Sequence, residues 1–158
     1  MASDFKTTIS ALWSELQLQA PRFGAENEIV LTVDGVDLVF RESPDERHLL
    51  VTAAAGQLSQ DPPNRARQVR TLMQASLGVL GATSTSLNIR KELDGVNLTV
   101  LVQAVYSYDL DRVGDLVQLI QEVLRVYEIP RGELVEASRP RRSLQPVEDA
   151  GESVIFRP

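Results

Sequence analysis

Apolar residues recur along this chain in two rhythms. Between residues 4 and 18 they fall at Phe5, Ile9, Leu12 and Leu16, which is one stripe of a helix, with Trp13 beside it. Ser3 or Asp4 is placed to cap this first helix, and Pro21 stops its continuation. The rhythm then changes to alternation: Ile29, Leu31 and Val33, then Asp34-Gly35, then Val36, Leu38 and Phe40. Asp-Gly between two alternating runs predicts a hairpin, because the tight turn needs positive φ and these residues tolerate it. The polar stretch "ESPDER" leads into a third apolar run, "HLLVTAAAG", which completes a three-stranded meander.

The helical rhythm returns after "QDPP". Asp61 is the expected N-cap and Pro62 the first helical residue, where a missing N–H costs nothing. Val69, Leu72, Met73, Leu77 and Leu80 make the apolar face of this helix, and Gly81 is expected to end it. Leu87 and Ile89 open a second hairpin turned by Asp94-Gly95, so that "VDGVDLVF" and "LDGVNLTV" are expected to turn the same corner twice. Its outgoing strand runs from Val96 through Leu98, Val100, Val102 and Ala104 to Tyr106, with Leu101 and Val105 on the opposite face, so both faces are expected to be partly covered.

Asp109 is placed to cap a last helix with Leu110, Val113, Val117, Ile120, Leu124 and Tyr127 on one stripe, widened by Leu116 and Val123 and ended by Ile129-Pro130. The order α-β-β-β-α-β-β-α predicts an α+β domain over residues 1–130: a twisted antiparallel sheet with helices packed on one face. Residues 131–158 lose the periodicity, and the chain from Pro130 onward holds four of its eight prolines. They are expected to be a flexible tail that orders only on binding.

Composition narrows the chemistry. The chain of 158 residues has no cysteine, which removes disulfides, thiolate nucleophiles and zinc–sulfur sites and suits a reducing cytoplasm. No apolar run reaches the roughly 20 residues of a membrane span, and the start lacks a signal-peptide pattern. The net charge of −6 resides in residues 1–128, with 11 basic and 17 acidic side chains, so nucleic acid is not an expected partner. Both Asp-Gly sites are too poor in neighbouring carboxylates for a calcium loop. His48, the single histidine, has no serine, cysteine or second histidine in a triad or metal pattern. No metal, cofactor or catalytic residue is therefore expected, and the protein reads as a binding protein. The arginines of "RARQVR" (Arg65, Arg67, Arg70) and "RPRR" (Arg139, Arg141, Arg142) are either solvated or a docking patch for an acidic partner.

The succession of an N-terminal amphipathic helix, the strand "EIVLTVDGVDLVF", a proline-started central helix, a hairpin with a long outgoing strand and a C-terminal amphipathic helix resembles the class I chaperones of bacterial type III secretion, the CesT/SycE-like family. The resemblance covers about residues 3–128. It implies a cytoplasmic homodimer that holds the unfolded N-terminal segment of secreted effector proteins, keeping them soluble and export-competent. It implies a dimer contact through the central helix, here Leu72, Met73, Leu77 and Leu80. Effector contacts would come from the first helix and adjoining strands, here Ile9, Leu12, Trp13, Leu16, Val33 and Phe40. The proline-rich tail is longer than a minimal member needs, and resembles a broad-specificity, HpaB-like export-control chaperone whose tail would contact an export-apparatus component. A regulatory or scaffold protein of the same fold, binding a folded partner, is the alternative.

Overall fold

The structure, a computed structural model, describes residues 4–24, 27–110 and 112–138. Its elements follow the expected order: α1 (Phe5–Glu15), β1 (Glu28–Val33), β2 (Val36–Glu42), β3 (His48–Gln57), α2 (Pro62–Ala82), β4 (Thr85–Lys91), β5 (Leu98–Ser107), a 3-10 turn (Tyr108–Leu110) and α3 (Val113–Ser138). The strands form one antiparallel sheet in the order β1-β2-β3-β5-β4. Helix α2 carries the chain from β3 to the far edge, and β5 returns between β4 and β3. That central position explains why β5 is apolar on both sides: Leu101 and Thr99 are buried on the second face, although Val105 is exposed there.

Local chemistry sets the ends of the elements. The Asp4 carboxylate accepts the Thr7 N–H at 2.7 Å and caps α1, and Asp61 caps α2 through the Asn64 N–H. The first hairpin is the tight turn expected, with Val33 opposite Val36 and both Asp34 (φ 50°) and Gly35 (φ 80°) left-handed. The second is a different corner. Its strands stop at Lys91 and Leu98, and only Gly95 (φ 71°) has positive φ. The Asp94 carboxylate instead accepts the N–H groups of Val96 and Asn97, each at 2.9 Å, and closes a longer loop.

Alternate residues of the central strands enter the core: Leu38, Phe40, Leu49, Val51 and Val102 have no exposed surface. Ile9 and Leu12 of α1 and Leu116 and Val123 of α3 meet them from the helical side. Tyr106 clamps the β5–α3 junction, its hydroxyl accepting from the Arg112 N–H and donating to the Arg112 carbonyl, both at 3.1 Å. Glu122 of α3 ties down the α2–β4 turn by accepting from the Ser84 N–H and the Thr85 hydroxyl.

Three expected boundaries are corrected. Gly81 lies inside α2, which runs to Ala82 and ends on Thr83. Asp109 lies in the 3-10 turn rather than capping α3, which starts at Val113. Ile129-Pro130 does not end α3, because Pro130 is buried on the helix's inner side and tertiary contacts carry the helix past it. Leu134, one turn on, is buried with Leu58, Leu72 and Val100 in a second apolar cluster. Gly56 makes this approach possible: at φ 147° it has no side chain, and a Cβ there would sit 3.2 Å from the Leu134 Cδ1. The first eight residues expected in the tail are thus helix; residues 139–158 lie outside the described residues.

A proline inside a helix costs about 3 kcal/mol relative to alanine through the missing N–H and the ring's clash with the preceding turn. Losing two buried methylenes returns roughly 1.6 kcal/mol of that. Pro130→Ala is therefore expected to stabilise the protein by about 1–2 kcal/mol in urea unfolding. No gain, or a loss, would show that the ring's contacts outweigh the backbone defect.

Candidate partner-binding surfaces

All three helices pack on one face of the sheet, through Phe40, Leu49, Val51, Val100 and Val102. The other face carries no helix among the described residues. Its groove of about 450 Å³ is floored by Val39, Leu50, Thr52, Leu101 and Gln103, with Arg41 at the rim. Arg41 pairs with Glu28 of β1, so the rim is neutral at that point. Val30 and Val105, both about half exposed, extend apolar surface toward β1 and along β5. Strands β1 and β4 are the sheet's edges, each with one hydrogen-bonded neighbour. An extended polypeptide can pair with such an edge and drop alternate side chains onto the sheet.

Helix α2 provides a second surface. It has a buried stripe and an exposed one. Gln68, Leu72 and Val79 are buried against the sheet and α3. The other stripe runs Pro62, Ala66, Val69, Met73 and Leu77, with Leu80 beyond, and faces outward. Met73, Leu77 and Leu80 are 65%, 75% and 58% exposed, unusual values for large apolar side chains on one helix. Of the four residues expected at a dimer contact, Leu72 is therefore in the core and the other three are on the surface.

The six residues expected to touch an effector separate similarly. Ile9, Leu12 and Phe40 are fully buried, and Trp13 retains 7% of its surface, set edge-on to Phe40 with ring centroids 5.9 Å apart. These four hold α1 to the sheet and present almost nothing to a partner in this chain. Leu16, at the C-cap of α1, is exposed, and Val33 beside the first turn is half-buried. Helices on one face and a two-sided outgoing strand were both expected, but the opposite face was not among the expected partner surfaces, although the adjacent apolar pairs in "HLLV" and "LTVLVQAV" signal strands with two apolar sides.

His48 meets the Asp45 carboxylate through Nδ1 at 3.0 Å. The Asp45 pKa is lowered to about 2, first by the Ser43 hydroxyl, then by the Arg47 N–H and by His48. A carboxyl whose folded pKa lies below its ordinary 3.8 contributes order that is complete above 3.8 and is lost as pH falls through about 2. Amide exchange at Arg47 and His48 is expected to remain protected down to about pH 3, by the same linkage. Loss of protection centred near pH 4 would mean that the turn does not close as described. The arrangement orders a turn: the Ser43 hydroxyl donates to Asp45 and accepts the His48 backbone N–H, while the imidazole meets the carboxylate rather than the hydroxyl. Among the described residues no three His, Cys, Asp or Glu side chains gather where they could hold a metal ion. No described helix is long and apolar enough to cross a membrane.

With the geometry in place, comparison with known proteins becomes informative. No family model and no curated protein sequence matches the chain. Solved structures do. A chain of the HopA1–SchA chaperone–effector complex is similar over 81% of this chain and 93% of its own, with 15% identity and a TM-score of 0.64. A chain of the complex of the Yersinia pestis type III secretion chaperone SycH with a fragment of YscM2 is similar over 79% and 98%, with 11% identity and a TM-score of 0.56. The likeness is one of fold. YbjN from E. coli, a proposed transcription regulator, shares it to a similar degree, over 82% and 90%, with 14% identity and a TM-score of 0.57. At these identities, what each relative binds remains a property of that relative.

Proposed function

We propose that this protein is a cytoplasmic, non-enzymatic chaperone that holds the unfolded N-terminal segment of type III secreted effector proteins. The observation that carries the reading is the open sheet face, with its mixed apolar and polar floor and edge strands each paired on one side only, on a fold shared with chains of chaperone complexes. An unfolded segment laid on this face would satisfy its main-chain hydrogen bonds at an edge and bury apolar side chains over Val39, Leu50 and Leu101. Exposed Leu16 and half-buried Val33 are the candidates of the α1 side, with Ile9, Leu12, Trp13 and Phe40 as the packing that holds that side rigid. Two copies would pair through Met73, Leu77 and Leu80. Residues 139–158 are the part available to contact an export-apparatus component.

Affinity capture of the tagged full chain from its native cells, followed by limited proteolysis, tests this. Protected fragments should be N-terminal pieces of exported proteins, some tens of residues long and unfolded when alone. Removing residues 139–158 should leave those fragments protected and reduce export. Recovery of intact, folded partners alone would instead support a regulatory or scaffold protein, the reading that the likeness to YbjN favours. Recovery of nothing would leave the chaperone reading without a client.

A further inference from the structure

The outward stripe of α2 is apolar, but its flanks are basic. Arg65 and Arg70 border the stripe and Arg67 lies on the same helix, while Pro62–Ala82 contains no acidic residue. In a chain of net charge −6 this is one of two basic clusters, the other being Arg139, Arg141 and Arg142 ahead of the tail's acidic segment. Among the described residues none of the three α2 arginines is in an ion pair. Arg65 donates only to the carbonyls of Ser59 and Gln60. Its cation also lies near the positive end of the helix dipole, where an anion is the favoured neighbour. The surface therefore suits a segment that is both apolar and acidic.

The chain carries such a segment. Residues 147–156 read "VEDAGESVIF": Glu148, Asp149 and Glu152, no basic residue, and the apolar group Val154, Ile155 and Phe156. It also starts from the right place. Leu134 shares a cluster with Leu72 and partly buried Val69, so α3 runs out beside α2. From Ser138 to Val147 is nine residues, a reach of up to about 30 Å. Helix α2, with 21 residues, is about 32 Å long. That reach is comparable with the length of α2, so the segment is long enough to meet the stripe in the same chain.

We propose that residues 147–156 dock in cis on the outward stripe of α2, with Glu148, Asp149 and Glu152 against Arg65, Arg67 and Arg70 and the Val154–Phe156 group over Met73 and Leu77. The segment and a second copy compete for this surface: the segment covers the stripe in the single chain, and pairing through α2 displaces it. The inference does not depend on the effector-binding reading, because neither its contacts nor its test involves a client.

The absence of native cysteine makes the test direct. The full chain carrying Gln74→Cys and Val154→Cys is oxidised mildly and analysed by mass spectrometry. A control carries Val30→Cys, on the far edge strand, with Val154→Cys. The α2 pair should close an intrachain disulfide at least about tenfold faster than the control, reflecting the higher effective concentration of a docked segment. Adding Glu148→Lys, Asp149→Lys and Glu152→Lys should bring that rate down to the control's, with circular dichroism unchanged. Equal rates for the two pairs, disulfides only between chains, or a rate indifferent to charge reversal would each overturn the proposal.

Discussion

Phe40→Ala is expected to lower the unfolding free energy by about 3–5 kcal/mol, the usual cost of deleting a buried aromatic side chain. Phe40 has no exposed surface and supports Trp13 edge-on, so its removal leaves a cavity under the one side chain that joins α1 to β2 most broadly. The surrounding Leu38, Val51 and Ile9 belong to the same cluster, and strands on both sides of β2 prevent collapse into the gap. Domains of this size have stabilities of roughly 5–15 kcal/mol, so a third or more of the total is at stake. Urea unfolding should show a lower midpoint with an unchanged slope. Capture of a client should fall only as the folded fraction falls, and should recover under stabilising conditions. An unchanged midpoint with capture lost would place Phe40 in the interface instead.

The Met73→Asp, Leu77→Asp double variant is expected to do the opposite: leave folding intact and abolish pairing of copies. Both side chains are more exposed than buried, so their replacement removes little from the folded chain. At a two-fold seam, four such side chains would each contribute about 1.5–3 kcal/mol when covered. Aspartates in their place would also be buried without partners. A dissociation constant raised at least about a thousandfold corresponds to only about 4 kcal/mol of that loss. Sedimentation of the variant beside the unaltered sequence, both ending at residue 146 so that no tail segment competes for α2, is the measurement. Identical sedimentation would mean that α2 is not where copies meet, while a large fall in stability would mean that the outward stripe is packed against something in the folded chain.

Much of the architecture was legible because local chemistry and periodicity agreed. Asp61-Pro62 starts α2 as expected, and Asp34-Gly35 makes the tight turn that alternation on both sides demands. The misreadings arose where the expected signal was outweighed by a competing local hydrogen bond or by a contact remote in sequence. Asp94-Gly95 looks identical to Asp34-Gly35, but the Asp94 carboxylate spends itself on Val96 and Asn97 and opens the loop. Pro130 is a stop signal locally, yet Leu134 fits against Gly56, more than seventy residues earlier, and that burial continues the helix. The buried centre of α3 also shifts to Leu116, Leu119, Ile120 and Val123, because the sheet sets the contact line and not the widest apolar arc.

The candidate surfaces were the least legible part, for a physical reason. A groove and a core use the same apolar side chains, so spacing identifies a stripe without saying what covers it. On α1 the stripe turned inward and took Ile9, Leu12 and Trp13 with it; on α2 a second stripe turned outward and left Met73, Leu77 and Leu80 exposed. By itself, the sequence determined the element order, the tight first turn, the α+β class and the lack of cysteine chemistry, since these depend on neighbours within a few residues and on composition. Only the tertiary structure decided that β5 lies between β3 and β4, that one stripe of α2 faces outward, and that the sheet face opposite the helices carries a groove with no helix over it among the described residues. Those outcomes depend on which elements bury one another, a property of the whole chain that no local pattern encodes.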